Sequence, residues 1–167
     1  MHWTEVKKTD KRALALADRH YSRQKPGSRE LGPPGQKIIL LTADETAVWG
    51  SHRPAPWANI KRMDGFEGHS CFLFRNEGHE LSSALIREAV AFTARVWGCS
   101  PFITYVAIDK VLSVNPGFCY KKAGFHYVRT RLKTKHGPMA RLEMDLAKVV
   151  ECMAEFYPSI HQLKMAI

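Results

Sequence analysis

Asn115-Pro-Gly-Phe-Cys-Tyr-Lys-Lys-Ala-Gly-Phe125 follows closely on the apolar run Phe102-Ile-Thr-Tyr-Val-Ala-Ile108. Together they read as a core strand, a polar strand end at Asp109, a short helix, and a second strand entered through Gly124, the residue type that ends helices with least strain. In an α/β sheet, chemistry gathers where central strands end and the chain turns away. Asp109 and the segment Asn115 to Tyr120 are therefore the first place to look for function.

Working outward, Thr9 or Asp10 can cap a helix through Ala17. Residues 20 to 36 are irregular and contain Gly32-Pro-Pro-Gly35; a loop of that length in a compact domain is usually functional or disordered. Lys37–Thr42 and Thr46–Ser51 pattern as a hairpin around Ala43-Asp44-Glu45. A second loop covers about Arg53 to Ser70, and Cys71-Phe-Leu-Phe74 reads as a short buried strand. Apolar residues at Leu81, Ala84, Leu85, Ala89, Phe92, Val96 and Trp97 recur at helical spacing, with Gly98 as the stop. Strands follow near 125–132 and 139–145, joined by Lys135-His-Gly-Pro138. Residues 147–164 are helical in pattern, with Pro158 as a break. The order predicts an α/β mixed central sheet flanked by helices, with one parallel crossover from the strand at 71 to that at 102. Residues 1–146 read as the domain and 147–167 as a C-terminal helical tail.

The chain has 167 residues and a formal net charge of +9. Its size is that of one domain. No segment approaches the roughly 20 apolar residues of a membrane-spanning helix, and no signal peptide is visible, so the expected location is the cytoplasm. Cys71, Cys99, Cys119 and Cys152 are far apart, without zinc spacing, and read as reduced and mostly buried thiols. Lys and Arg are spread over several clusters, which suits a polyanion such as DNA. Arg23, Lys25, Arg29, Lys61, Arg62, Lys121 and Lys122 are the candidate nucleic-acid contacts. Trp49, Trp57, Phe66 and Tyr127 are candidates for stacking on an extruded base, although aromatics in strands are more often core. His52, His69 and His79 are scattered and receive no role. Cys119 has no evident base partner, which argues against a nucleophile.

The element order across about 10–145 resembles the GNAT superfamily of acyltransferases. In that family the strand before the long helix ends in a phosphate-cradling turn of pattern Arg/Gln-x-x-Gly-x-Gly/Ala. Here it is Arg75-Asn-Glu-Gly78-His-Glu80. Arg75 and Gly78 match; Glu80 departs from the pattern, and with Glu77 it puts negative charge where a pyrophosphate would sit. Acetyl-CoA is therefore expected to bind weakly or not at all. Ser82 and Ser83, in the first turn of the helix, are candidates for holding a small carboxylated substrate instead, against the plain alternative of helix-start preference.

Within that fold the chain resembles the Mom-type DNA-modification proteins of phages. The resemblance rests on His20-Tyr21-Ser22 after the first helix, on the strand end at Asp109, and on Asn115-Pro-Gly-Phe-Cys-Tyr120 before the Ala-Gly-Phe strand entry. It implies conversion of adenine in DNA to an N6-carbamoylmethyl-type base, with His20, Tyr21, Ser22, Asp109 and Tyr120 as the catalytic set. It also implies iron held by His20, Tyr21, Asp109 and Tyr120, and a small-molecule donor of unknown identity. Asn115 either caps the short helix or reads the adenine edge. The alternatives are an acetyl-CoA-dependent N-acyltransferase acting on an amine, and a non-catalytic nucleic-acid-binding module.

Overall fold

The computed structural model describes residues 1–23, 25–55, 65–111, 114–134 and 137–159. The elements are β1 (Trp3–Val6), α1 (Lys11–Asp18), β2 (Gln36–Thr42), β3 (Ala47–Arg53), β4 (His69–Asn76), α2 (Ser82–Trp97), β5 (Phe102–Ala107), α3 (Phe118–Ala123), β6 (His126–Thr134), β7 (Gly137–Met144) and α4 (Leu146–Phe156). One sheet runs in the order β1-β2-β3-β4-β5-β7-β6. The β4/β5 pair is parallel, with α2 as its crossover, and the other neighbours are antiparallel.

Helices cover both faces of the sheet, and this explains the unbroken apolar run in β2. Ile38 and Leu40 enter a core shared with α2, α3 and α4, whereas Ile39 and Leu41 enter a second core with α1 and Leu31. A strand buried on both sides loses the apolar–polar alternation of a half-exposed one. On α2, Ala89, Ala91 and Ala94 are buried beside Leu85, Ile86 and Val90, and these small side chains let the helix lie close to the sheet. Its buried polar groups form a closed chain. Trp49 Nε1 donates to Ser51 Oγ at 2.7 Å, Ser51 Oγ lies 2.7 Å from Thr93 Oγ1, and Thr93 Oγ1 donates to the Ala89 carbonyl at 2.9 Å. Trp49 is thus fully buried and unavailable for stacking on a base. α1 is capped by Asp10, whose side chain accepts from the Arg12 and Ala13 amides.

Two expectations are corrected. The first element is a strand, not a helix. At four residues, β1 is too short for its alternation to be read, and it is fixed from a distance by α2. Trp3 Nε1 donates to the Leu85 carbonyl at 2.9 Å, and the buried Glu88 carboxylate accepts from the His2 amide at 2.6 Å and lies 2.7 Å from His2 Nδ1. Nor is the segment from 147 onward a tail at its start. Val149, Cys152, Met153 and Tyr157 are buried in the main core with α2. Residues 160–167 lie outside the described part. No helix among the described residues is long and apolar enough to cross a membrane.

One irregularity in β4 positions the site. Gly50 of β3 faces Leu73 and Ser51 faces Cys71, so Phe72 has no residue opposite it. This is a β-bulge, which bends the strand and strengthens its twist. A Cβ at Gly50 would collide with the Phe72 ring, and one at Gly32 would come within 2.6 Å of it. The ring is therefore held between two backbone segments that lack side chains. Gly50→Ala should destabilise the fold by about 1–3 kcal/mol through overpacking, read as a melting temperature lower by about 3–10 °C. Adding Phe72→Leu to that variant should restore part of the loss; a Gly50→Ala protein that melts like the parent would show that the ring is not clamped.

Candidate functional site

The parallel ladder between β4 and β5 holds only three register pairs, His69↔Phe102, Ser70↔Ile103 and Cys71↔Thr104. It stops where the bulge begins, although β4 continues to Asn76 and β5 to Ala107. Beyond Cys71 the two strands part and leave backbone groups unpaired toward each other. This opening is at the centre of the sheet, at the carboxyl ends of both strands.

Tyr120 of α3 stands in it. The residue is 8% exposed, and its ring packs edge-on against Phe74 and Phe125 at centroid distances of 6.2 and 5.4 Å. Its hydroxyl lies 3.4 Å from Cys71 Sγ, and that thiol also reaches the Leu73 carbonyl at 3.4 Å. With the thiol proton directed to Leu73, the Tyr120 hydroxyl is left as the donor toward sulfur. Burial pushes the Cys71 thiol up to about 12, and it drives Tyr120 well above the usual phenol value, aided by the nearby Cys71 and Cys119. Both groups stay protonated at neutral pH.

The loop after α1 reaches the same place. Tyr21 is 41% exposed and carries a phenol pushed upward by desolvation, opposed by an interaction with the Ala107 backbone at the end of β5, with Cys71 and Cys119 nearby. Its ring lies 4.2 Å from that of His20. His20 Nδ1 accepts from the Ser22 amide at 3.1 Å and is 2.7 Å from Ser22 Oγ. An Nδ1 that accepts an amide proton leaves the imidazole proton on Nε2. Desolvation, assisted by the Arg75 charge, lowers the His20 pKa to about 4.

Arg75 ends β4 and ties this loop to the start of α2. Its Nη1 donates to the Arg19 carbonyl at 2.6 Å and its Nε to Glu77 at 2.5 Å, while Arg19 holds the same carboxylate at 2.7 and 2.8 Å. These partners take Glu77 down to about 2. The turn into α2 is partly self-satisfied: the Gly78 amide donates to Asn76 Oδ1 and the Glu77 amide to the Thr46 carbonyl, both at 2.9 Å. Asn76 Nδ2 donates to the Glu80 carbonyl at 2.8 Å and to Ser82 Oγ at 3.1 Å. No side chain caps the first amides of α2, where Ser82 and Ser83 stand.

The other candidates divide. Asp109 is exposed at the end of β5, beside Gly137, where a Cβ would come within 2.9 Å of its Oδ2. Among the described residues it shares no hydrogen bond or ion pair with His20, Tyr21 or Tyr120. Asn115 accepts from Lys121 Nζ through its side chain and from the Phe118 amide through its carbonyl, so it braces the entry to α3. Tyr127 donates to the Pro116 carbonyl, and Lys121 and Lys122 lie over the Tyr127 and Phe118 rings at 5.0 and 5.5 Å. Arg23 is consumed by its own loop, donating to Asp18 and to the Ser28 and Glu30 carbonyls. Lys25 and Arg29 are exposed. Trp57, Lys61 and Arg62 lie outside the described residues. Cys71, Arg19 and Thr104, whose Oγ1 donates to the Cys71 carbonyl at 3.2 Å, were not anticipated; a buried thiol in a strand carries no local signal.

The chain matches no protein-family model and no curated protein. Solved structures do match. A spermidine N-acetyltransferase SpeG chimera from Vibrio cholerae and hSSAT aligns over 89% of this chain and 96% of its own, with a TM-score of 0.54 at 10% identity. A second such chimera aligns over 90% and 99%, with a TM-score of 0.56 at 9% identity. AAC(6')-Ib, in complex with paromomycin and acetyl-CoA, aligns over 88% and 94%, with a TM-score of 0.55 at 15% identity. The fold is that of the GNAT acetyltransferases, as the element order had implied.

The cofactor expectations are overturned. Among the described residues no group of three or more His, Cys, Asp or Glu side chains is placed to hold a metal ion. Asp109 makes no hydrogen bond or ion pair with His20 among the described residues, and the iron reading is withdrawn. The exclusion of acetyl-CoA also falls. A neighbour of the same fold is solved with acetyl-CoA, and Glu77, one of the two charges on which the exclusion rested, is neutralised by Arg19 and Arg75. The electrostatics can be checked directly. In a nitrogen-detected NMR titration, His20 should titrate near pH 4, well below the 6.5 of a free imidazole, with the proton on Nε2 in the neutral form. Because folding favours the neutral ring, its stabilising contribution is full above pH 6.5 and is lost as pH falls through about 4. Arg75→Gln should raise the midpoint, though not fully, because desolvation is the larger cause; a midpoint near 6.5 in the parent protein would refute the desolvated, neutral ring.

Proposed function

We propose that this protein is an acyl-CoA-dependent N-acyltransferase that acts on an amine. The single observation that carries this reading is the opening between β4 and β5 with the protonated Tyr120 hydroxyl inside it, directed at a sulfur atom. The residues present fit an acyl-CoA. The unpaired backbone of β4 beyond Cys71 offers hydrogen bonds to an extended amide chain, the uncapped amides of α2 with Ser82 and Ser83 suit phosphate, and the Glu77 charge is compensated. When bound, an acyl thioester supplies an acyl group activated toward an amine. Tyr120 holds a proton on its Oη, available for a sulfur leaving as thiolate. Tyr21 and the His20 Nε2 proton line the side on which an acceptor would enter. Thr104 fixes the β5 edge at the last paired position.

Modification of adenine in DNA, the activity that the Mom-type resemblance implies, is the second reading. It is supported by the net charge of +9 and by the ordered His20-Tyr21-Ser22 and Asn115-to-Tyr120 segments. The solved structures that match carry spermidine acetyltransferase and aminoglycoside-complex descriptions, which favours the first reading. A non-catalytic module is the outcome if neither activity is found.

Calorimetry with acetyl-CoA, together with thiol release from acetyl-CoA in the presence of an amine panel, tests the first reading. Binding and amine-dependent release are expected. Tyr120→Phe should lower kcat about 100-fold, within the usual range for losing a positioned acid, with acetyl-CoA affinity and melting temperature nearly unchanged. No acetyl-CoA binding by folded protein would defeat the reading, and a modified adenine in nucleosides from expressing cells would promote the second.

A further inference from the structure

The acyltransferase reading leaves the acceptor open, and a cleft beside the opening speaks to it. This cleft of about 410 Å³ lies between the loop after α1 and the bulged part of β4. Leu31, Phe72 and Leu73 give it apolar walls, Ser22 and Ser28 contribute hydroxyls, Lys25 and Arg23 contribute cations, and Glu30 contributes one carboxylate. Ser22 directly follows Tyr21, whose interaction with Ala107 reaches the end of β5, and Phe72 and Leu73 directly follow Cys71, the last residue of the β4/β5 ladder, so two segments of the cleft wall adjoin the opening.

The charges around it are lopsided. Asp18 is held by Arg23 at 2.8 Å and by the Gly27 amide at 2.9 Å; Glu30 is held by Lys8 at 2.7 Å; Glu77 is held by Arg19 and Arg75. Lys25 and Arg29 make no ion pair among the described residues. Lys37, which lies against the Gly32 turn, is lowered chiefly by desolvation and further by the neighbouring Lys8, with Glu30 opposing. A polycation would meet a positive wall with its carboxylates already taken. An anion would meet the opposite.

We propose that the acceptor amine, on the acyltransferase reading above, is carried by an anionic molecule with an apolar body. That body sits against Leu31 and Phe72, and its phosphate or carboxylate sits at Lys25. This is the reverse of the polycationic ligands named for the structural neighbours.

Calorimetry on the full chain without any thioester tests this independently of acyl transfer. The probes are tyramine phosphate, 4-(2-aminoethyl)benzoate, tyramine and spermidine. The two anionic amines should bind about tenfold tighter than tyramine, the scale of one partly screened charge pair, and spermidine weakest; whichever anionic probe binds better identifies the group. Lys25→Glu should erase the preference, Lys25→Arg should keep it, and Lys11→Glu on α1, outside the cleft, should keep it, all with unchanged melting. Spermidine binding as tightly as tyramine phosphate overturns the proposal. So does a Lys25→Glu protein that retains parental affinity for both anionic amines. Absence of acetyl-CoA binding with the anionic preference intact would instead count against the acyltransferase reading alone.

Discussion

The Phe72 ring occupies the space that side chains at Gly50 and Gly32 would fill, and the working geometry of the molecule depends on that contact. With Phe72 accommodated, β4 takes one more residue than β3 across the same span. The extra residue bends β4 just past Cys71, and β5 cannot follow it. A flat β4 would carry its ladder with β5 to the end of both strands, closing the opening and leaving Tyr120 no place except against paired backbone. The bulge thus converts a central, fully bonded strand pair into a site whose peptide groups are available to a ligand. The left-handed turn at Gly32, beside the same ring, links the loop after α1 to this bend.

Electrostatics then fasten the surrounding loops. Glu77 is shared between Arg19 at the end of α1 and Arg75 at the end of β4, and Arg75 also holds the Arg19 carbonyl. Two segments far apart in sequence meet over one carboxylate. Exposed pairs of this kind add little stability. Their consequence is positional: they set the loop bearing His20 and Tyr21 beside the end of β4, and they cancel a charge that would otherwise repel phosphate at α2.

Much of the fold was legible because it is local. The helical spacing from Leu81 to Trp97, the apolar runs of β2 and β5, and Gly124 before Phe125 each declare themselves within a dozen residues. β1 did not, because its place is set by Glu88 and the Leu85 carbonyl, more than 80 residues away. The bulge was equally hidden, since nothing in Cys71-Phe-Leu-Phe74 marks which residue lacks a partner. The residues singled out from the sequence are placed differently by the fold. Tyr21 and Tyr120 both lie at the opening, whereas Asp109 stands beside Gly137. The iron set failed because the fold gathers no cluster of metal-ligating side chains among the described residues, and sequence order does not show which side chains converge. The exclusion of acetyl-CoA failed for a related reason: a sequence shows that Glu77 is negative but not that two guanidinium groups surround it.

The titratable groups of the opening share one property. Burial raises Cys71, Cys119, Tyr21 and Tyr120 and lowers His20. Desolvation is the leading cause in every case, and its effect is to hold each group in its neutral form. A site so arranged is rich in proton donors and poor in acceptors, since the one free imidazole lone pair is engaged by Ser22. It suits a reaction that needs a proton delivered to a departing sulfur. It is ill suited to stripping a proton from a strongly basic ammonium. On the acyltransferase reading, an amine that gives up its proton before entering matches such a site, and the positive rim favours one carried on an anionic molecule.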